Sequence, residues 1–562
     1  MADFDAIVIG SGMSGGMAAK ELCERGLKTL VLERGRDIDP AEDYTDMIDP
    51  WDYENLDKVD PVEAAKNYAQ QKDIYVFYES TKHLWVKDSE HPYETADGTD
   101  YEWYRGYHTG GRSLLWARMS FRYSPWDFEA NLRDGVGVDW PIRYADLEPW
   151  YDKVETFVGV AGEQHDIPQI PAGKFLKPFE MNAGELWWKD KLKANFPERD
   201  FIIAPSANLT EAQPHHIELG RGDCQVRNKC FRGCSFHAYY SSVSGALPAA
   251  ERTGNLTLVN DAIVHSIVVD PDTKRATGVR VIDAKTKETR EYSARIVFLN
   301  ASTINSTMIL LNSSTEDMPN GLGNSSGELG RNLMDHVAGA RVEGKINGLW
   351  DRYFYGNRPA VGYIPRYTNL DDLDQPYKRS FAYQVYTERR GWTGDRPGVG
   401  AAFKEANRTP QDWTLTLDPY AEVLPDPKNR VYQHASKTDK WGLPVPVMDA
   451  RNGPNEYALL EAASRDAVAM MEAAGVTDIK VGEVRPLPPG NRIHEMGTAR
   501  MGRDPKTSVL NKWNQMWDVQ NVFVTDGSCM TSAAVQNPSI TYMAMSARAA
   551  NRAADLIEQG VL

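Results

Sequence analysis

The chain has 562 residues, of which 41% are hydrophobic and 25% charged, and its formal net charge is −16. These values are typical of a globular protein, and the length predicts about two or three domains. The acidic balance excludes nonspecific nucleic-acid binding, which needs lysine and arginine to displace counterions, and no apolar run reaches the roughly 20 residues of a membrane-spanning helix.

The first 33 residues predict a strand, a glycine-rich turn, a helix and a second strand. An apolar run at residues 6–9 precedes Gly10, Gly12 and Gly15, which have G-x-G-x-x-G spacing, and the next apolar run ends at Glu33. In nucleotide-binding folds these glycines make the tight turn, admit a pyrophosphate and let the helix pack on the strand. The helix N-terminus offers N–H groups to phosphates, and the terminal acid accepts from ribose hydroxyls. The stretch predicts a Rossmann-type domain and leaves both NAD and FAD open.

Residues 37–60 form an acidic segment with ten carboxylates and one lysine, Lys58. Pro40, Pro50 and Trp51 interrupt it, so a solvated loop is the first interpretation. The alternative is a docking arm that wraps a partner, because aromatic residues are interleaved with the acids. Further along, the pair Gly110-Gly111 would let the backbone run close to a flat ring or a phosphate.

Three of the five cysteines lie within eleven residues, in "CQVRNKCFRGC": Cys224, Cys230 and Cys234. The other two, Cys23 and Cys529, are expected to be small buried side chains. Exposed free thiols without a function are a liability, so the three neighbouring cysteines predict a bound metal. Zinc would need a fourth ligand such as His237, whereas three thiolates can hold a 3Fe–4S cluster. The spacing alone leaves both open.

The second half of the chain predicts a substrate domain between residues 340 and 480. Strand patterns occur at 381–388, 411–417 and 429–436, and a helix over 454–475 ends at Gly475. We expect an antiparallel sheet that covers the cofactor. A strand at 522–524, followed by Asp526-Gly527 and an alanine-rich helix, is expected to return to the nucleotide domain.

His494 and Asn537 are the candidate catalytic residues, in the stretches "NRIHEMGTARMG" and "VQNP". A neutral imidazole is suited to take the hydroxyl proton of an alcohol whose hydride leaves for a flavin. The asparagine amide could donate to the same oxygen and fix its direction. Each residue alone has an ordinary explanation, as a histidine in a turn or a cap of the helix that Pro538 can open.

Together these stretches resemble the glucose–methanol–choline (GMC) oxidoreductase family of flavoenzymes over nearly the whole chain. The resemblance also includes "VFLNASTINSTMILLNSS" (297–314) and "GRNLMDH" (330–336). Within the family, "WYRGYHTGGRSLLWARMSFRYSPWDFEAN" and "DWPIRYADLEPWYDKVE" look most like bacterial glucoside 3-dehydrogenase flavoprotein subunits.

The resemblance implies an α/β protein of the α+β two-domain kind, with a Rossmann-like FAD-binding domain and an antiparallel-sheet substrate-binding domain. The FAD-binding domain would be assembled from residues 1–45, 95–130, 205–338, with the cysteine loop at 221–237, and 487–562. The substrate-binding domain would comprise residues 131–204 and 339–486. The residues implied to bind FAD are Gly10, Gly12, Gly15, Glu33, Arg34, Gly110, Gly111, Ser113, Leu115, Val264, Asp526, Gly527, Asn537 and Pro538.

The resemblance further implies a dehydrogenase that oxidises a secondary hydroxyl of a sugar or glycoside, at C3, to a 3-keto sugar. His494 would take the proton, Asn537 would hold the oxygen, and flavin N5 would receive the hydride. Cysteines 224, 230 and 234 would hold an iron–sulfur cluster of the 3Fe–4S type. The alternative is a cluster with a fourth iron that a non-cysteine residue binds. One rival is an O₂-using sugar oxidase like the pyranose oxidases, with structural or zinc-bound cysteines. The other is a noncatalytic, FAD-stabilised assembly or binding protein.

The expected partners are a haem c subunit or soluble cytochrome c as electron acceptor, and a small subunit that carries an export signal. The first residues lack a basic patch followed by an apolar stretch, so no signal peptide is predicted. Co-export with a small subunit bearing a twin-arginine signal would place the protein in the periplasm, and the cytoplasm is the alternative.

We predict that FAD is bound noncovalently, because Leu115 stands where pyranose oxidases carry the histidine that bonds to the flavin. Acid precipitation of the pure protein should release the yellow colour into the supernatant, measured by absorbance. Flavin that stays with the pellet would contradict this.

Overall fold

The computed structural model describes residues 2–49, 51–352, 359–389, 398–409 and 411–562, so Pro50 of the acidic segment lies outside the described residues. The strands are β1 (Phe4–Ile9), β2 (Thr29–Leu32), β3 (Glu94–Thr95), β4 (Ile202–Ile203), β5 (Leu256–Val259), β6 (Ala262–Val269), β7 (Ala276–Asp283), β8 (Thr289–Leu299), β9 (Arg331–Met334), β10 (His336–Val337), β11 (Val342–Ile346), β12 (Gly362–Ile364), β13 (Phe381–Arg389), β14 (Trp413–Glu422), β15 (Arg430–Thr438), β16 (Pro444–Asp449), β17 (Thr477–Val481), β18 (Met496–Thr498) and β19 (Val522–Val524). The α-helices are α1 (Met13–Glu24), α2 (Pro40–Asp43), α3 (Pro61–Asn67), α4 (Pro125–Asp134), α5 (Tyr144–Val158), α6 (Ala183–Asn195), α7 (Pro214–Glu218), α8 (Ala246–Glu251), α9 (Thr303–Asn312), α10 (Gly400–Arg408), α11 (Pro454–Ala474) and α12 (Ser539–Glu558).

The first sheet combines strands from both ends of the chain. Its order is β5-β2-β1-β8-β7-β6, and β19 pairs with β8 in parallel. The β5, β2, β1 and β8 neighbours are also parallel, whereas β7 runs antiparallel to both β6 and β8. The central parallel strands are buried apolar runs, as expected where helices cover both faces. This confirms the predicted strand–helix–strand start and the returning C-terminal strand.

Helices α1 and α12 pack on each other beside this sheet through small side chains. Ala18 and Ala19 of α1 and Ala549 and Ala553 of α12 belong to one buried cluster. At the start of α1 a Cβ on Gly15 would lie 1.9 Å from the carbonyl oxygen of Gly10, so only glycine allows this close contact. The C-terminal helix is therefore part of the nucleotide-binding core.

The second sheet has the order β17-β11-β14-β13-β12-β4, with β10 on β14, and its strands pair antiparallel. It contains the predicted strands at 381–388 and 411–417, the latter extended to Glu422. Helix α11 packs on this sheet and ends at Gly475 in the left-handed conformation, as predicted.

A third sheet, of order β18-β9-β15-β16-β3, contains the predicted strand near residues 429–436. That strand, β15, pairs with β16 and β9 and not with the second sheet, because β15 and the next strand, β16, form an antiparallel pair beside β9. In the described part of the chain, every helix is too short or too polar to cross a bilayer.

Candidate active site

A cavity of about 1310 Å³ is lined by residues of all three sheets, including Ile9 and Leu32 of the first, Gln384 and Tyr420 of the second, and Val445 of the third. Pockets for drug-sized ligands measure about 300–1,000 Å³. This cavity therefore has room for a dinucleotide and a small substrate together.

The glycine-rich turn and Glu33 form the nucleotide end of the cavity. The Ser11 backbone N–H and hydroxyl both donate to Glu33 Oε2, at 3.1 and 2.5 Å, and the Gly35 N–H donates to Oε1 at 3.0 Å. Burial raises the pKa of Glu33. The Asn300 Oδ1 atom is buried without a hydrogen-bond partner among the described residues, although Asn300 lines the cavity. An acid and an open acceptor at a helix N-terminus fit a nucleotide with ribose hydroxyls and phosphates.

Aromatic rings surround Arg34 at the same end. Its guanidinium lies 4.6 Å from the ring centroid of Tyr107 and 5.4 Å from that of Trp441, and it pairs with Asp439 at 3.5 Å. His91 stacks on Trp441 with ring centroids 5.1 Å apart. Of these rings, His91 and Tyr107 line the cavity and are suited to contact a planar base.

Most residues predicted to bind FAD line the cavity: Gly10, Gly12, Glu33, Arg34, Gly111, Ser113, Leu115, Val264, Asp526, Gly527 and Asn537. Gly15 does not, because it packs beneath Gly10. Gly110 sits behind the turn, where its N–H donates to the Ser11 hydroxyl at 2.9 Å. Pro538 caps α12, which begins one residue later.

The two predicted catalytic residues meet at the far end of the cavity. Asn537 Nδ2 lies 3.3 Å from His494 Nε2, although the residues are 43 positions apart. Both side chains line the cavity, and Asn537 Oδ1 is buried without a partner in the described structure. One ring nitrogen and one amide therefore face the space where a substrate hydroxyl would lie.

A second histidine, His336, lies behind His494. The two Nδ1 atoms are 2.9 Å apart, and the rings are nearly perpendicular, at 88°. The Asp335 carboxylate accepts the backbone N–H groups of His494 and Arg492, each at 3.0 Å. The motif "GRNLMDH" contains both Asp335 and His336, but the local sequence pattern indicates no role for either.

Burial controls the ionisation of this group. It lowers the pKa of His494 well below the usual value and that of His336 to about 3. It raises the pKa of Asp335 to about 7. Both imidazoles are therefore neutral at neutral pH, the form in which a histidine can accept a proton.

The wall beside His494 comes from adjacent strands β13 and β14, on which Gln384 pairs with Asp418. Arg492 binds Asp418 at 2.7 Å and lies 4.1 Å from the ring centroid of Tyr420. The Tyr386 hydroxyl donates to Gln384 Oε1 at 2.8 Å, which leaves Gln384 Nε2 buried and without a partner in the described ranges. This wall offers polar and aromatic contacts to a hydroxyl-bearing ligand.

The cysteine loop adjoins the same cavity through Asn228 and Phe231, which line it. The three thiols are free and half-buried, and burial raises the pKa of Cys224 to about 11. Val226, Asn228 and His237 have positive φ, and for the β-branched Val226 this conformation is strained. Such strain persists where the surroundings hold a segment in one conformation, as at functional sites.

The acidic segment contacts the cysteine loop through buried and charged hydrogen bonds. Asp46 is completely buried and accepts from the Arg227 guanidinium and from the Ser235 backbone and hydroxyl. Arg232 pairs with Asp57. The interpretation as a solvated loop is therefore wrong for Asp46. Trp51 and Leu56 remain 72% and 73% exposed, so the docking-arm hypothesis stays open.

Metal-ligand geometry bears on the zinc option for the cysteines. Among the described residues, one group of three or more ligand atoms lies within 4.8 Å of one another: Asp335, His336 and His494. The three thiols and His237 do not converge to that distance, so the tetrahedral set of a single zinc ion is not preformed.

The fold and the site define a flavin-dependent oxidoreductase of alcohols. The GMC oxidoreductase N-terminal model matches residues 4–338 and the C-terminal model residues 425–546. The chain belongs to the GMC oxidoreductase family, whose members bind FAD and act on CH–OH groups.

Two dehydrogenases are among the curated relatives that cover nearly the whole chain. This chain is 27% identical over 564 residues to the fructose dehydrogenase large subunit of Gluconobacter japonicus, and the alignment covers 99% of this chain and 98% of the relative. It is 28% identical over 592 residues to the 2-methyl-1,2-propanediol dehydrogenase of Mycolicibacterium austroafricanum, with 99% and 96% covered. Among solved structures, a formate oxidase variant from Aspergillus oryzae RIB40 matches with a TM-score of 0.61, 14% identity and coverage of 100% and 99%. This last similarity shows the shared fold.

We predict that Asp46→Asn loosens the cysteine loop, because the change removes the buried negative charge that Arg227 pairs with. Losing one partner of a buried charged hydrogen bond costs about 1–3 kcal/mol, so tryptic cleavage at Arg227, Lys229 and Arg232 should accelerate by about tenfold. Cleavage is followed by mass spectrometry. Asp52→Asn, an exposed acid of the same segment, is the matched control and should leave the rate unchanged. Equal cleavage of both variants would show that Asp46 does not hold the loop.

Proposed function

We propose that the protein is an FAD-dependent dehydrogenase of sugars or glycosides that oxidises a secondary hydroxyl, at C3, to a ketone. The observation that carries the proposal is that one cavity is lined both by the His494–Asn537 pair and by Phe231 of the cysteine loop. The first feature suits alcohol oxidation, and the second suits onward transfer of the electrons.

FAD, when bound, supplies the ring whose N5 accepts the hydride. The residues that would hold it are those of the glycine-rich turn, together with Glu33 and Asn300. The open acceptor Oδ1 of Asn300 and the Glu33 carboxylate fit the ribose hydroxyls, and the N-terminus of α1 fits the phosphates. His494 Nε2 takes the hydroxyl proton, and the Asn537 amide donates to the same oxygen and orients the carbinol. Burial, helped by the positive charges of Arg112 and Arg492, lowers the pKa of His494 and keeps it neutral until the proton moves.

A hydroxyl-rich substrate is favoured by the wall beside the catalytic pair. Within the described residues the Gln384 Nε2 donor has no partner there, and the Tyr420 ring, which Arg492 contacts, also lines the cavity. The similarity to a fructose dehydrogenase subunit supports a sugar, whereas the similarity to a propanediol dehydrogenase shows that small diols are used within the same group. The choice of C3 rests on the resemblance of residues 103–131 and 139–155 to glucoside 3-dehydrogenase subunits.

The cysteine loop is proposed to hold an iron–sulfur cluster of the 3Fe–4S type through Cys224, Cys230 and Cys234. Each thiolate of a cluster binds a different iron, so these atoms need not converge as closely as the ligands of one ion. Arg118 lies next to the loop, with its guanidinium 4.9 Å from the ring centroid of Phe231, and its charge lowers the pKa of Cys224, against the raising effect of burial. Soft sulfur donors and nearby cations favour such a cluster, which would supply one-electron transfer.

The proposed electron acceptor is a cytochrome c-type protein, and a small subunit with an export signal is the proposed second partner. The large-subunit name of the Gluconobacter relative supports partner subunits. With such co-export the enzyme would act in the periplasm; without it, in the cytoplasm.

We predict that His494→Ala slows anaerobic reduction of the flavin by at least about 100-fold, the usual effect of losing a general base. Flavin bleaching is measured by stopped flow with a panel of glycosides, and NMR of the product identifies the oxidised carbon. His434→Ala, on β15 and outside the cavity, is the control and should reduce at the normal rate. Normal reduction in His494→Ala would remove the proposed base, and a product oxidised elsewhere would refute C3.

We predict about three irons and four sulfides per chain in oxygen-protected protein, with an EPR signal that Cys230→Ser abolishes. Iron analysis and EPR measure this. Iron-free protein that turns over sugar with stoichiometric peroxide, and no faster with an artificial acceptor, would instead establish the O₂-using oxidase.

A further inference from the structure

The contact between His336 and His494 constrains where the proton of each neutral ring can be. Their Nδ1 atoms are 2.9 Å apart, so one Nδ1 carries a proton and the other accepts it. His336 is buried and belongs to β10, where its backbone pairs with Glu422 of β14. The second sheet therefore holds His336 against residues 491–494, the proposed catalytic loop.

Asn537 decides between the two arrangements. Its Nδ2, a donor only, lies 3.3 Å from His494 Nε2, so Nε2 carries a lone pair and His494 has its proton on Nδ1. His336 Nδ1 must then accept that proton, and His336 carries its own on Nε2. In the opposite arrangement the Nε2–H group of His494 and the Nδ2–H group of Asn537, both donors, would face each other.

The other side of His336 agrees with this assignment. His336 Nε2 lacks a hydrogen bond of ordinary geometry within the described residues, and the nearby Ala534 carbonyl raises the pKa of His336, the direction expected of an acceptor. Ala534 has a φ of 61°, a left-handed conformation that is uncommon for alanine. The loop from Ala534 to Asn537 therefore presents an acceptor to one histidine and a donor to the other.

We propose that His336 is a positioning residue that accepts the Nδ1 proton of His494 and so keeps the His494 lone pair at Nε2, where the substrate hydroxyl would bind. This rests on the proposed function, in which His494 is the base. When His494 gains the substrate proton, its Nδ1–H bond to His336 becomes charge-assisted and stronger. The charged groups that face the pair are Asp335, Arg492 and Arg112.

Two variants of His336 test this role. His336→Leu removes the acceptor and should slow flavin reduction by about tenfold or more, with little change in substrate affinity, because a wrong tautomer cannot take the proton. His336→Asn places a carbonyl oxygen near the position of Nδ1 and should recover most of the rate. A role in packing alone would predict the opposite order, since leucine fills the buried volume better than asparagine.

The tautomer is measured directly by ¹⁵N NMR of histidine-labelled protein, with His494→Ala used to assign the signal. The wild type should show His494 protonated at Nδ1, and His336→Leu should lose this preference. A wild-type signal from the Nε2-protonated tautomer would overturn the proposal even if the variants fail to fold. Normal reduction in both His494→Ala and His336→Leu would refute the proposed base, whereas slow His494→Ala with normal His336→Leu would refute only the positioning role.

Discussion

The buried carboxylate of Asp335 connects the proposed catalytic loop to the second sheet, and the candidate active site depends on this connection. It accepts the backbone N–H groups of Arg492 and His494, two donors that the loop could not otherwise pair in a buried site. Asp335 lies between β9 and β10, next to His336. One short segment therefore holds both the backbone and the ring of His494, which must point into the cavity for any alcohol to reach it.

Burial gives this group its chemistry as well as its shape. A low dielectric penalises charge, so both histidines are neutral and Asp335 titrates near neutrality. The cost of a buried carboxylate is offset by its backbone hydrogen bonds, and the Arg492 charge nearby is compensated by Asp418. This matches the role proposed for His494, a base that stays unprotonated until a substrate provides the proton.

The acidic segment and the cysteine loop form a second unit on the same cavity. Asp46 is buried because Arg227 and Ser235 surround it with donors, and in turn it holds a loop whose backbone is strained at Val226. Strain of this kind persists only when neighbouring contacts require it. The segment that resembled a solvated loop in composition is thus in part the support of the three thiols, while Trp51 and Leu56 face outward.

The local pattern of residues was sufficient to predict the strand–helix–strand start, the returning strand at 522–524 and helix α11, because their periodicity and glycine positions are local properties. It also identified His494 and Asn537 as candidates, from their surrounding motifs. Only the tertiary structure brought them within 3.3 Å, placed His336 behind His494, buried Asp46 and assigned β15 to a third sheet. These features join segments tens to hundreds of residues apart, and a charge pattern such as that of residues 37–60 does not reveal which carboxylate will meet a buried arginine. Burial and pairing between distant segments are decided by packing of the whole chain. Local periodicity carries no information about that packing.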